Sequence, residues 1–192
     1  MRHCHPVTAI TAAAVTALAA CSDPFALPTP AFPNVVDTVS LYALHGTAIA
    51  LPSGYRLDDH EAVRTDQATG FDFAFDIDTA GNAVLLPTRA LDLGPEFGSG
   101  AQITAEEFDS ILVAPTRDYQ LDSAVVVAVG DVVLIQSRQT VCSFGIPAFY
   151  YAKLEILGLE TTSGPNGRRL DFHILVDRNC GYRGLEPGLP DR

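Results

Sequence analysis

The sequence predicts a mainly β domain, an antiparallel sandwich or barrel of about eight strands with one short helix near residues 105–112. Three observations carry that expectation. The stretch "FDFAFDID" sets Phe71, Phe73, Phe75 and Ile77 on one face and Asp72, Ala74, Asp76 and Asp78 on the other. A period of two is that of a half-buried strand. Two pairs of apolar runs are joined by turn residues, Ala124–Val129 with Val132–Ser137 and Tyr150–Leu159 with Leu170–Asp177. Pairs of that kind read as hairpins. Only one helix after residue 34 is well signalled: Thr104 with Glu107 forms a capping box, and Pro115 closes the segment.

The first twenty residues differ from the rest. Arg2 gives a short positive start, and Val7 to Ala20, "VTAITAAAVTALAA", carries no charge. As a helix that run spans roughly 21 Å, too short and too rich in alanine to cross a bilayer. It has the size of the apolar region of a signal peptide. The alternative, an amphipathic core helix, needs a polar stripe that Thr8, Thr11 and Thr16 do not form. The run ends in Leu18-Ala19-Ala20-Cys21. These four residues resemble the lipobox of bacterial lipoproteins at every position. The resemblance implies cleavage before Cys21, with Cys21 as the lipidated mature N-terminus. Two or three acyl chains then hold a protein firmly at a membrane. Ser22, not Asp, follows the cysteine, which in enteric bacteria implies the outer rather than the inner membrane.

Residues 21–34 follow as a tether. "SDPFALPTPAFPN" holds four prolines between Ser22 and Asn34, which deny helix and discourage sheet. An extended spacer of that length reaches roughly 40 Å. The alternative is an arm packed along the domain. Residues 35–192 then form one domain. Strands are expected at Val35–Leu44, Thr47–Leu51 and Ala62–Thr65, then at Phe71–Asp78 and, after the turn "TAGN", at Ala83–Pro87. "GPEFGSG", Gly94–Gly100, is a loop whose glycines do not make a phosphate cradle. The Ala124–Val129 run is apolar on both faces, so it is placed centrally, with Gly130-Asp131 as a two-residue turn into Val132–Ser137. The last hairpin turns through Gly164-Pro165-Asn166-Gly167.

Composition excludes some classes. The chain has 192 residues, 47% hydrophobic and 18% charged, the balance of a globular domain. Its net charge is −11, and removing residues 1–20 takes away Arg2 and no acid, leaving −12. Such a chain repels a duplex or an anionic bilayer surface, so no nucleic-acid partner is expected. Of four cysteines, Cys4 lies in the leader and Cys21 in the lipobox. Cys142 and Cys180 remain, a pair that favours a disulfide in an exported protein, with two free thiols as the alternative.

No catalytic residue is assigned. The zinc-protease, nucleophile-elbow, P-loop and dinucleotide motifs are absent from the sequence. Asp58, Asp59, His60 and Glu61 read as a solvated loop, with a cation site as the alternative. "DIDTAGN" begins like a calcium loop, but Ala80 and Pro87 fall where oxygen ligands belong, so it reads as a β-turn. No metal or cofactor is therefore assigned. His173 is expected on the outer face of its strand with Asp171 and Asp177, near Glu155 or Leu157. Arg178 and Arg183 are expected to balance nearby acids, with anion capture as the alternative. "FDFAF" and "YYAKLEIL" are similar to strands of the HmuY-like haem-capturing lipoproteins. That similarity implies haem capture, yet His45, His60 and His173 match none of that family's axial ligands. The expected function is a lipid-anchored envelope protein acting by binding or as a structural component. Capture of haem or a divalent cation is the alternative, and a hydrolase comes third.

Overall fold

The computed structural model describes residues 27–191 apart from 69, 94–97, 143–144, 163 and 165–166. The leader, the lipobox with Cys21, the first tether residues, most of the 94–100 loop and the tip of the last hairpin lie outside the described residues. The strands are β1 Val36–Tyr42, β2 Gly54–Arg56, β3 Glu61–Val63, β4 Phe73–Ile77, β5 Ala83–Pro87 and β6 Gly100–Thr104. They continue with β7 Val125–Val126, β8 Val132–Gln136, β9 Thr140–Val141, β10 Pro147–Ala148, β11 Tyr151–Glu160 and β12 Arg169–Asp177. All pairings are antiparallel.

Two five-stranded sheets form, in the orders β1-β12-β11-β8-β6 and β3-β2-β4-β5-β7, with β9 and β10 as a separate pair. The main core takes residues from both: Tyr55, Phe73, Phe75 and Leu85 from one, Leu41, Ile135, Leu154 and Phe172 from the other. Two open sheets sharing one core make a sandwich rather than a barrel. Each large side chain buried there contributes about 1.5–3 kcal/mol. The last hairpin forms as expected, β11 pairing with β12 through Tyr151↔Asp177 and Glu155↔His173. Beyond the expected elements, the short strands β2, β6, β9 and β10 also form.

Four expectations change. The helix near 105–112 is a single 3-10 turn, Phe108–Ser110. Thr104 Oγ1 accepts from Glu106 N at 3.2 Å, and Glu107 is extended and makes no side-chain cap. The segment's carbonyls are taken elsewhere: Lys153 Nζ donates to Phe108 O at 2.7 Å and Ile111 O at 3.0 Å. Its far end pairs with the C-terminal segment, Leu185 N to Leu112 O at 2.8 Å and Ala114 N to Arg183 O at 2.8 Å. Tertiary partners thus replace the i→i−4 bonds of a helix too short to nucleate alone.

The Ala124–Asp131 stretch does turn, with Asp131 N donating to Ala128 O at 3.1 Å and Gly130 at φ +90°. Yet its arms part. β7 pairs with β5, while β8 pairs with β6 and β11. The turn is a corner between sheets, and β7 is an edge with Val126 exposed, not a central strand. No strand forms at Thr47–Leu51, where Leu51 N turns back to Ala48 O. Finally, β4 is buried on both faces. The chain bends before it, so Phe71 leaves Phe73 and joins Val63 and Ala74 in a second cluster. Among the described residues, no helix is long and apolar enough to cross a membrane.

Candidate functional site

The outer face of the first sheet carries a cleft. Register places Thr38, His173, Glu155, Val132 and Thr104 in one row across β1, β12, β11, β8 and β6. The 104–109 segment and the Gly130-Asp131 corner rise on either side. They enclose about 650 Å³, lined by Glu106, Glu107, Asp109, Asp131, Glu155 and His173 among others. Five carboxylates with one imidazole make a negative concavity that concentrates cations by its field. They do not converge: among the described residues, no group of three His, Cys, Asp or Glu is placed to hold a metal ion. Beside Glu155 on β11, Lys153 is almost fully buried, its Nζ 4.5 Å from the centre of the Phe108 ring. Burial lowers its pKa.

A second constellation lies where the proline-rich arm meets the end of β12. Asn179 Oδ1 accepts from Ala31 N at 2.7 Å and Phe32 N at 3.0 Å, and its Nδ2 donates to Phe32 O at 2.8 Å. Tyr182 Oη donates to Pro28 O at 2.9 Å. Asn34 exchanges backbone bonds with Gly188, and its Nδ2 donates to Gly184 O at 2.8 Å and Glu186 O at 3.1 Å. Proline removes amide donors from the arm, so few of its groups can pair, and polar side chains of the domain seek out those few. Gly181, at φ +86°, lets Leu27 approach so closely that a β-carbon would sit 2.6 Å from its Cδ2. The described part of the tether is therefore packed along the domain.

Asp177 stands behind this clamp. It is wholly buried, and its Oδ1 accepts from Asn179 N at 2.9 Å and Nδ2 at 3.0 Å. Burial pushes its carboxyl up to about 6, against the bonds from Asn179. Register does keep Asp177 on the His173 side of β12, but the sheet is covered there, so the expected solvent-facing aspartate is buried. The neighbouring Cys180 meets Cys142 at disulfide distance, with Cα atoms 5.8 Å apart.

The other sequence-marked residues are dispersed. His45 Nδ1 lies 2.6 Å from Asp76 Oδ2. His60 Nε2 lies 3.4 Å from Asp37, and its ring centre 6.2 Å from that of Tyr55. Burial lowers the His60 pKa. Asp58 and Asp59 turn to Arg56. His45 and His60 thus attend different carboxylates, and His173 stands apart from both, opposite Glu155 across the β11–β12 pair. Asp78 closes the expected turn by accepting from Ala80 N at 2.9 Å and Asn82 N at 2.8 Å. Its bonds from the Asn82 side chain and backbone hold its carboxyl below the usual range. Arg178 and Arg183 hydrogen-bond backbone oxygens, Asp58 O at 3.3 Å and Ala114 O at 2.9 Å.

Sequence reasoning missed Lys153, Asn34 and Asn179. No spacing marks them, since each gains its role from a partner some 40 to 150 positions away. Comparison with family models, curated proteins and solved structures gave no match.

Proposed function

We propose that this chain is a lipid-anchored protein of the bacterial cell envelope, placed at the outer membrane, whose β-sandwich acts as a binding or structural module. The observation that carries the reading is Leu18-Ala19-Ala20-Cys21 at the end of an uncharged run, six residues before the docked arm begins. Acylation of Cys21 supplies the membrane partner. The arm then joins the anchor to a domain that carries an acidic concavity, a surface suited to a cationic group rather than to nucleic acid.

The test is processing. Cys21→Ser should leave an uncleaved, unlipidated precursor that leaves the outer-membrane fraction. Intact-mass measurement of the wild type should show a mature chain starting at acylated Cys21. An unmodified mature N-terminus at any other residue overturns the reading.

A further inference from the structure

The docked arm carries exposed apolar side chains along the edge of the domain. The bridge between Asn34 and Gly188 is antiparallel, so Pro33 lies opposite Leu189 and Val35 opposite Pro187. Phe32 is 49% exposed and Leu189 61% exposed, and Leu27 and Val35 are also exposed. These side chains are not mobile excess on a loose tail. Asn179, Tyr182 and Asn34 pin the backbone that carries them. An apolar face held open to solvent by buried polar clamps calls for an occupant.

The preceding chain says which one. From Cys21 to Leu27 there are six residue steps. Even fully extended, six residues span only about 20 Å. An acyl-bearing Cys21 therefore keeps this face within that distance of the bilayer. At such range the effective concentration of lipid surface is high, so a few modest apolar contacts suffice. Arg178, whose guanidinium carbon lies 5.0 Å from the centre of the Phe32 ring, adds a cation beside an aromatic at the rim. That pairing suits the headgroup level, where aromatic rings and basic side chains both settle.

We infer that the face formed by Leu27, Phe32, Pro33, Val35, Pro187 and Leu189 rests on the lipid bilayer surface and fixes the domain's orientation on the membrane. The inference rests on lipidation at Cys21. A second copy of the chain is the competing occupant.

The chain contains no tryptophan, so a single introduced indole reports its own surroundings. Phe32→Trp and Leu189→Trp place it on the proposed face. Ile49→Trp places it in the loop after β1, at the strand's far end, at a residue 72% exposed. Each full-length, lipid-processed variant is put into net-neutral phosphatidylethanolamine–phosphatidylcholine vesicles, with and without brominated acyl chains. Flotation reads the anchor, and indole emission reads docking. The expected result is flotation of all three, with blue-shifted, bromine-quenched emission at positions 32 and 189 and unshifted, unquenched emission at 49. Flotation without quenching at 32 and 189 overturns docking and leaves the anchor standing. Equal quenching at all three positions also overturns it. A blue shift without bromine quenching that fades on dilution assigns the face to a second copy instead. Failure to float, with no acyl mass on Cys21, removes the anchor and the inference with it.

Discussion

At the residue scale, Asp177 couples the sandwich to pH. In the unfolded chain its carboxyl has the ordinary value of 3.8, and in the fold burial raises it to about 6. The neutral form is the one the fold favours. Asp177 therefore supports stability fully below about pH 4, and that support is lost as pH rises through about 6. The difference amounts to about 3 kcal/mol at most. Asp177→Asn keeps an oxygen for Asn179 and removes the charge. Urea unfolding of both proteins from pH 4 to 8 should show the wild type losing stability relative to the variant across that window. His60, whose pKa is lowered by burial, gives an opposite trend as pH falls, but it is present in both proteins and cancels in the difference. A difference that stays flat with pH would show that Asp177 does not titrate there. None of this is legible in "LVDRN", where an aspartate at a strand end reads as a solvated terminus. Its burial is set by the C-terminal segment, whose Gly184 backbone reaches it.

At the element scale, the 104–112 segment tests what organises this molecule. Thr104 caps a single amide, Glu106 N. Lys153 holds two carbonyls and covers the Phe108 ring. Thr104→Ala should thus cost under about 1 kcal/mol and leave the far-UV circular dichroism unchanged. Lys153→Ala should cost roughly 2–4 kcal/mol, because it leaves a cavity and two unsatisfied oxygens. Denaturation midpoints separate the two, and a larger loss for Thr104→Ala would restore the helical reading. Strands with a clean period, β4, β11 and β12, were legible because each presents apolar residues to one shared core. The helix and the β7–β8 hairpin were misread for one reason: local signals describe a segment's own bonds, and here distant carbonyls and the opposite sheet outcompeted them. Nor did alternation reveal that β4 is covered twice. Asp72 survives burial because Leu57 N donates to it at 2.8 Å and Arg138 N and Nε at 2.9 and 3.2 Å, partners 15 and 66 positions away. The cleft was legible only as the His173–Glu155 pair, since its walls come from the 104–109 segment and the corner between the sheets.

At the scale of the whole molecule, the Cys142–Cys180 bridge is the covalent closure on which the arm depends. Cys142 follows β9, and Cys180 sits between Asn179 and Gly181, so the crosslink holds the very turn that grips residues 27–32. Their separation of 38 residues sets the entropy withdrawn from the unfolded chain at about 4 kcal/mol, an upper value on the chain-entropy model. The effect should be uneven. The core amides of Phe172 and Ile174 belong to β12, paired on both sides, whereas Ala31 and Phe32 are tied to one asparagine side chain. Reduction, or a Cys142→Ala, Cys180→Ala double variant, should lower global stability by a few kcal/mol. It should also raise hydrogen exchange at Ala31 and Phe32 by a larger factor than at Phe172 and Ile174, because local opening needs only the turn to loosen. Exchange that rises equally at all four amides would mean that the arm opens only when the sandwich does. Free thiols mapped to both Cys142 and Cys180 by alkylation and peptide mass in the non-reduced, denatured protein would remove the crosslink itself. With the bridge intact and the exchange uneven, the disulfide acts chiefly as the fastening of the proline-rich arm, and only secondarily as a brace for the sheets.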